Sequence, residues 1–194
     1  MMYRIIIIWA LLITALTAAS ERITAQAEPG SEMLDRIRNE FYLAIEDEDA
    51  LNGLIRFIES SFSEDPAKYP AVILAYSGVL ETLKAKHTYN PYSKFKYVTA
   101  GLKKLNKAVS MSSDMLEVRF LRFAVLHNIP GIFGVADDRR ADLKESYKLL
   151  LRQDYSSISR NLQRGIAEFL LKSGRLDQAQ TEILKREFPD AQTE

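Results

Sequence analysis

Two stretches of the sequence, residues 71–80 and 115–126, are apolar on nearly every face that a helix could present, and a helix of that kind has to be enclosed by others. Neither is long enough to cross a bilayer, which takes about 20 apolar residues. They are therefore predicted as the central helices of a packed fold. Around them, apolar residues recur at helical spacing, as in Ile37, Phe41 and Ile45, in Leu51, Leu54 and Ile58, in Leu143, Tyr147 and Leu150, and in Leu162, Ile166, Phe169 and Leu170. Polar caps mark the starts, at Ser31, Asp65-Pro66, Asn90-Pro91, Ser113-Asp114, Asp137-Asp138 and Ser156-Ser157. No stretch alternates as a strand does. The pattern predicts an all-α fold of eight helices, near residues 32–46, 49–62, 66–87, 91–110, 114–128, 138–152, 157–173 and 175–188. Their short links make neighbours antiparallel, so the chain reads as a series of helical hairpins.

Ahead of these helices lies a different kind of segment. Arg4 supplies one positive charge, and residues 5–16 run apolar but for Thr14, a length that suits a signal helix better than a membrane span. Small residues follow. Ala25-Gln26-Ala27 offers a peptidase site just before Glu28-Pro29-Gly30, and Thr17-Ala18-Ala19 offers a second. The reading is a signal peptide over residues 1–27, then a single domain over 28–194; an uncleaved anchor helix over residues 2–19 is the alternative. Either way the domain is exported. Membrane contact is then expected only through the signal segment, if it is retained.

Composition removes several classes of function. With no cysteine there is no disulfide framework, thiolate metal site, cysteine nucleophile or lipid-modified cysteine, and an exported chain of this kind fits a bacterial periplasm or cell surface. Two histidines, His87 and His127, leave little metal chemistry. The 26 basic and 26 acidic residues balance, which argues against a general nucleic-acid binder. No glycine-rich phosphate loop, G-x-S-x-G elbow, H-E-x-x-H or calcium loop occurs. Glu46-Asp47-Glu48-Asp49 is the densest carboxylate cluster, but adjacent residues on a helix diverge by about 100°, so it reads as a solvated helix start. No cofactor is expected.

Residues Ile166, Ala167, Leu170, Gly174, Leu176 and Ala179 resemble a tetratricopeptide repeat. That resemblance implies a stack of hairpins forming a short alpha-solenoid, with Gly174 as a left-handed helix end and Ala167 and Ala179 at a close helix crossing; Gln163 stands where the family has an aromatic. Gly101, Leu105 and Ala108 look like the second helix of an earlier unit. The run Asn90-Pro91-Tyr92-Ser93-Lys94-Phe95-Lys96-Tyr97, with Gly101, Leu105, Ala108, residues 117–122, Asn128-Ile129-Pro130 and Gly134, is similar to a group of exported bacterial proteins with tetratricopeptide-like helices. The group has no assigned activity, so the resemblance bears on location and fold.

Charge is segregated along the chain. Residues 28–81 hold 4 basic and 12 acidic side chains, a net −8, whereas residues 82–113 hold seven lysines and no acid. Lys84, Lys94, Lys96, Lys103 and Lys104 interleave there with Tyr89, Tyr92, Phe95 and Tyr97, a composition that suits an acidic partner, an anion or anionic headgroups. The competing reading is a solvated hairpin covered by the acidic N-terminal helices.

Arg119 and Arg122 lie three apart on an otherwise apolar helix and need acceptors. These are either internal carboxylates such as Glu81 or Glu117 or carbonyls at helix ends, or an external carboxylate or phosphate on the concave side of the stack. The link over residues 128–135 is apolar, so it either folds over the core or exposes Ile132 and Phe133 to a partner. His127 beside it reads as a hydrogen-bonded helix end.

The functional expectation is an exported, non-catalytic interaction module binding a protein, in particular an acidic one, or an anionic partner. Its contact residues would be Lys84, Tyr89, Tyr92, Lys94, Lys96, Lys103, Lys104, Arg119, Arg122, Ile132 and Phe133. A carrier of a small apolar or anionic ligand, or an enzyme of unrecognised type, is the alternative.

Overall fold

A computed structural model describes residues 30–62 and 65–191; the expected signal segment and both of its cleavage sites lie outside these residues. The described chain is helical, with α1 Ser31–Ala44, α2 Glu48–Ser61, α3 Ala71–His87, α4 Pro91–Met111, α5 Leu116–Asn128, α6 Ala136–Leu150, α7 Arg160–Lys172 and α8 Gln178–Glu187. Short 3-10 turns occupy Pro66–Lys68, Gly131–Phe133 and Pro189–Ala191, and no strand occurs among the described residues. No described helix is long and apolar enough to cross a membrane.

Two helix boundaries differ from the spacing for identifiable reasons. The helix expected over 66–87 is divided, because Tyr69 is held extended (ψ 142°) ahead of Pro70, and α3 starts only after that proline. The helix expected from 175 starts at Gln178. Gly174 turns the chain left-handed (φ 63°), and Asp177 and Gln180 then form a reciprocal capping box. Of the caps read from the sequence, Asn90 accepts from the backbone N–H groups of Tyr92 and Ser93, and Asp65 accepts from Ala67 N at 3.0 Å. The others are displaced by one to three residues, to Gly30, Met115, Val135 and Ser159, of which only Ser159 caps with its side chain. A further cap, Asp47, accepts from Ala50 N at 2.7 Å. That cap, with Glu46 paired to Lys86, accounts for half of the 46–49 acidic cluster. Among the described residues no group of acids and histidines could hold a metal ion.

The central helices are those that the apolar stretches indicate. Every residue of α3 from Ala71 to Leu80 except Ser77 is buried, and α3 packs on α2, α4 and α5. Its contact with α4 is the most extensive between the described helices, and two glycines meet there. A Cβ on Gly101 would lie 2.6 Å from the Gly78 carbonyl oxygen, and one on Gly78 would lie 3.0 Å from that of Gly101. Ascending residues of α3 meet descending residues of α4, Ser77 with Lys104 and Lys84 with Tyr97, so the pair is antiparallel. The same holds for α5 and α6, where Arg119 meets Asp142 and the Leu126 carbonyl meets Arg139.

Two hydrophobic clusters share α5. Val118, Leu121 and Val125 face the first, with α1, α2, α3 and α4, while Phe123 faces the second, with α6, α7 and the C-terminal segment. Each fully buried side chain of this size contributes about 1.5–3 kcal/mol. Ala167 is buried in the second cluster, as the repeat resemblance implies, but Ala179 is exposed on α8 and makes no close crossing.

Candidate functional site

The four odd-numbered helices line one groove of about 1040 Å³. Contacts at its two ends give its direction. At one end Arg38 of α1 donates to both carboxylate oxygens of Glu117 on α5, at 2.8 and 2.6 Å, and Tyr76 of α3 donates to the same carboxylate at 2.7 Å. The Ser157 carbonyl, just before α7, also faces Arg38. At the other end Lys86 of α3 donates to the Ile45 carbonyl of α1 at 2.9 Å, and Arg175, just after α7, donates to His127 of α5. The four helices therefore run parallel, and a stretch such as Glu117 to Ile129 on α5 corresponds to about 18 Å of groove.

Apolar side chains make the floor and walls. Phe41, Tyr42 and Ile45 come from α1, Val79 and Leu83 from α3, Phe120, Leu121 and Ala124 from α5, and Ile166 and Phe169 from α7. The Phe169 ring packs edge-on against Phe120 with centroids 5.3 Å apart. Gly165 lies on the wall, with open space where a side chain would begin.

The charged residues in this lining are matched inside the protein. Glu117, only 2 % exposed, is held between Arg38 and Tyr76. Burial works against the Arg38 charge, yet the hydrogen bonds and charge of Glu117, helped by Asp35, hold its pKa above the ordinary arginine value. Burial, then the charge and hydrogen bond of Glu117, push Tyr76 well above the usual phenol range. Lys86 pairs with Glu46 at 2.5 Å, and Lys172 with Glu168 at 2.7 Å. The groove is thus electrically satisfied before anything enters it.

The residues singled out from the sequence are divided between inside and outside. Arg119 and Arg122 turn inward, which corrects their assignment to a contact surface. Asp142, with 0 % exposure, accepts from Arg119 at 2.8 Å and from two nitrogens of Arg122 at 2.5 and 2.8 Å, while Asn106 takes a third donor of Arg122. The carboxylate is that of Asp142 on α6, neither Glu81 nor Glu117, and the Ser113 carbonyl just before α5 accepts from Arg119 Nε at 2.7 Å, as a helix-end acceptor. Lys84 and Lys104 both reach Glu81 at 3.2 Å, so they too are engaged. Lys94, Lys96 and Lys103 are exposed and make no ion pair among the described residues. Tyr89, Tyr92 and Ile132 are exposed as well, and Phe133 is half-buried, stacked on Phe95 with centroids 5.3 Å apart. The acidic N-terminal helices meet the hairpin at Lys86, through Glu46, and leave the outer face of α4 open.

His127 accepts a hydrogen bond on Nδ1 from Arg175 Nε at 2.8 Å, which requires the neutral ring. Burial, then the charges of Arg175 and Arg139, lower its pKa. The native state therefore binds a proton less readily than the unfolded chain. Its contribution is complete above the ordinary imidazole value of about 6.5 and is lost as pH falls below it. Urea denaturation at pH 8 and pH 5 should show a smaller acid loss of stability in His127→Gln than in the native chain.

No protein-family model, no curated protein and no solved structure matches the chain.

Proposed function

We propose that this chain is an exported, non-catalytic adaptor, a short solenoid of stacked hairpins whose groove receives the apolar face of an amphipathic helix from a protein partner. One observation carries the reading: the groove is mostly apolar, partly open to solvent, and has its charges already neutralised. An anionic ligand would find no spare cation there. An acyl chain laid in a half-open groove would leave its other side in water, whereas an amphipathic helix presents a polar back to solvent. The length of about 18 Å accommodates about three helical turns, enough for anchors at positions i, i+3 or i+4, and i+7. The exported location rests on the leader.

Catalysis is not the reading because the buried carboxylate of the groove, Glu117, gives its oxygens to Arg38 and Tyr76 and is not placed to move a proton.

Site-specific photocrosslinking tests the reading. Benzoylphenylalanine in place of Phe169 or Phe41, activated in the producing cells, should yield adducts on peptides of a partner helix with apolar residues three and four apart. Gly165→Leu, which fills the groove where a new Cβ meets nothing within 4 Å, should cut the yield at least about tenfold, the loss that ~1.4 kcal/mol of misfit produces. Adducts confined to lipid would make the protein a carrier, and adducts insensitive to Gly165→Leu would remove the groove from the function.

A further inference from the structure

We infer that the outer face of α4, together with the Gly131–Phe133 turn, docks on a bilayer surface rich in anionic headgroups. The inference is independent of the groove, and it adds a membrane contact beyond the one expected of the leader.

It begins with lysines that the fold does not use. Of the seven in residues 82–113, Lys84 and Lys104 are taken by Glu81 and Lys86 by Glu46. Lys94, Lys96, Lys103 and Lys107 are exposed and make no ion pair among the described residues. Lys96, Lys103 and Lys107 stand seven and four residues apart, which puts them in one row along the helix, about 16 Å long. Tyr92 continues that row one turn earlier, whereas Lys94, two residues before Lys96, leaves the helix about 160° round from it and stands off this face. No acid lies on this helix to quench the row.

The second observation is the apolar tip at the N-terminal end of that row. Tyr89 is 98 % exposed, Tyr92 77 %, Phe95 55 % and Ile132 87 %. The Phe95–Phe133 stack ties the turn to the start of α4, so Ile132 and Phe95 belong to a single projection. Exposed aromatic and aliphatic side chains clustered in this way mark an interaction surface and not ordinary surface scatter.

A bilayer fits these two features better than an acidic protein does. Protein interfaces are enriched in arginine and depleted in lysine, and their anchors enter pockets. This face carries lysines alone, point charges on flexible stems suited to a diffuse layer of headgroups. Its tyrosines and isoleucine project outward, as residues at a membrane–water interface do. Each lysine beside an anionic surface raises partition about fivefold, or ~1 kcal/mol, so the three of the row together raise it about a hundredfold.

The test is co-sedimentation with vesicles of phosphatidylcholine alone and of phosphatidylcholine mixed with phosphatidylglycerol. The chain beginning at Glu28 is used, because both hydrophobic clusters lie after it and the apolar leader would bind vesicles by itself. Binding is expected to the mixed vesicles only, and to weaken with added salt. The triple change Lys96→Gln, Lys103→Gln and Lys107→Gln should reduce binding about a hundredfold, with helix content unchanged by circular dichroism. The matching Lys→Arg set should retain binding. Tyr92→Ser with Ile132→Ser should weaken it at constant charge, and Gly165→Leu should leave it unchanged. Equal binding to both vesicle types, or full binding by the glutamine variant, would overturn the inference. Capture of polyglutamate without any vesicle binding would overturn it in favour of an acidic protein partner.

Discussion

Asp142→Ala is expected to lower stability by about 3–5 kcal/mol, the cost of leaving buried charge without its counter-charge. The carboxylate is wholly enclosed and is the shared acceptor for Arg119 and Arg122, the second of which is itself 6 % exposed. Removing it leaves the Arg122 guanidinium, still buried, with only Asn106 and a longer pairing to Asp138 at 3.8 Å. Most domains have only about 5–15 kcal/mol in reserve, so the variant should unfold at a much lower urea concentration, with the slope of the transition unchanged. Asp142→Asn keeps the shape but not the charge and should recover part of the loss. If the pair is replaced as a unit, Arg122→Met with Asp142→Leu, the penalty should largely disappear, because apolar groups of similar volume substitute well for a buried ion pair. A loss below about 1 kcal/mol in Asp142→Ala would show that the network behaves as a solvated surface pair does.

Gly101→Val is expected to cost about 3 kcal/mol, at the upper end of what overpacking usually does. A Cβ at this position would sit 2.3 Å from Thr82 Cγ2 and 2.6 Å from the Gly78 carbonyl oxygen. The threonine methyl can rotate away, but the carbonyl belongs to the backbone of α3, so the two helices must separate. Even Gly101→Ala should destabilise, although alanine favours an exposed helix by about 1 kcal/mol over glycine. Gly53 on α2 supplies the contrast. Nothing lies within 4 Å of its Cβ position, and Gly53→Ala should stabilise by about 0.5–1 kcal/mol. Opposite signs for two glycine-to-alanine changes in one molecule, read from urea midpoints, would establish close approach and not helix propensity as the cause.

The helical class and the enclosure of α3 were legible because periodicity and uniform apolarity are local properties of a sequence. Asn90, followed by Pro91, was readable as a cap for the same reason. What could not be read is set by how helices meet. Glu117 finds Arg38 79 residues earlier, and Arg122 finds Asp142 20 residues later, and no spacing rule joins either pair. The need of Arg122 for an acceptor was evident, but its identity was not. The groove escaped notice because Phe41, on its wall, and Ile37, in the core, are both apolar residues on one side of α1. Only the tertiary arrangement separates a side chain that faces another helix from one that faces a gap. Conversely, Ala179 fits a repeat pattern by position and is exposed because α8 turns that residue outward.

The placement of charge on α5 constrains how a groove occupant could act on the rest of the molecule. Glu117 is gripped from the side of α1 and α3, and Arg119 and Arg122 from the side of α6 and α4. The helix is clamped against rolling in either direction, since a turn about its own axis would strip counter-ions from opposite flanks at once. Whatever enters the groove therefore meets a rigid keel, and any adjustment to it falls on the walls formed by α1 and α7.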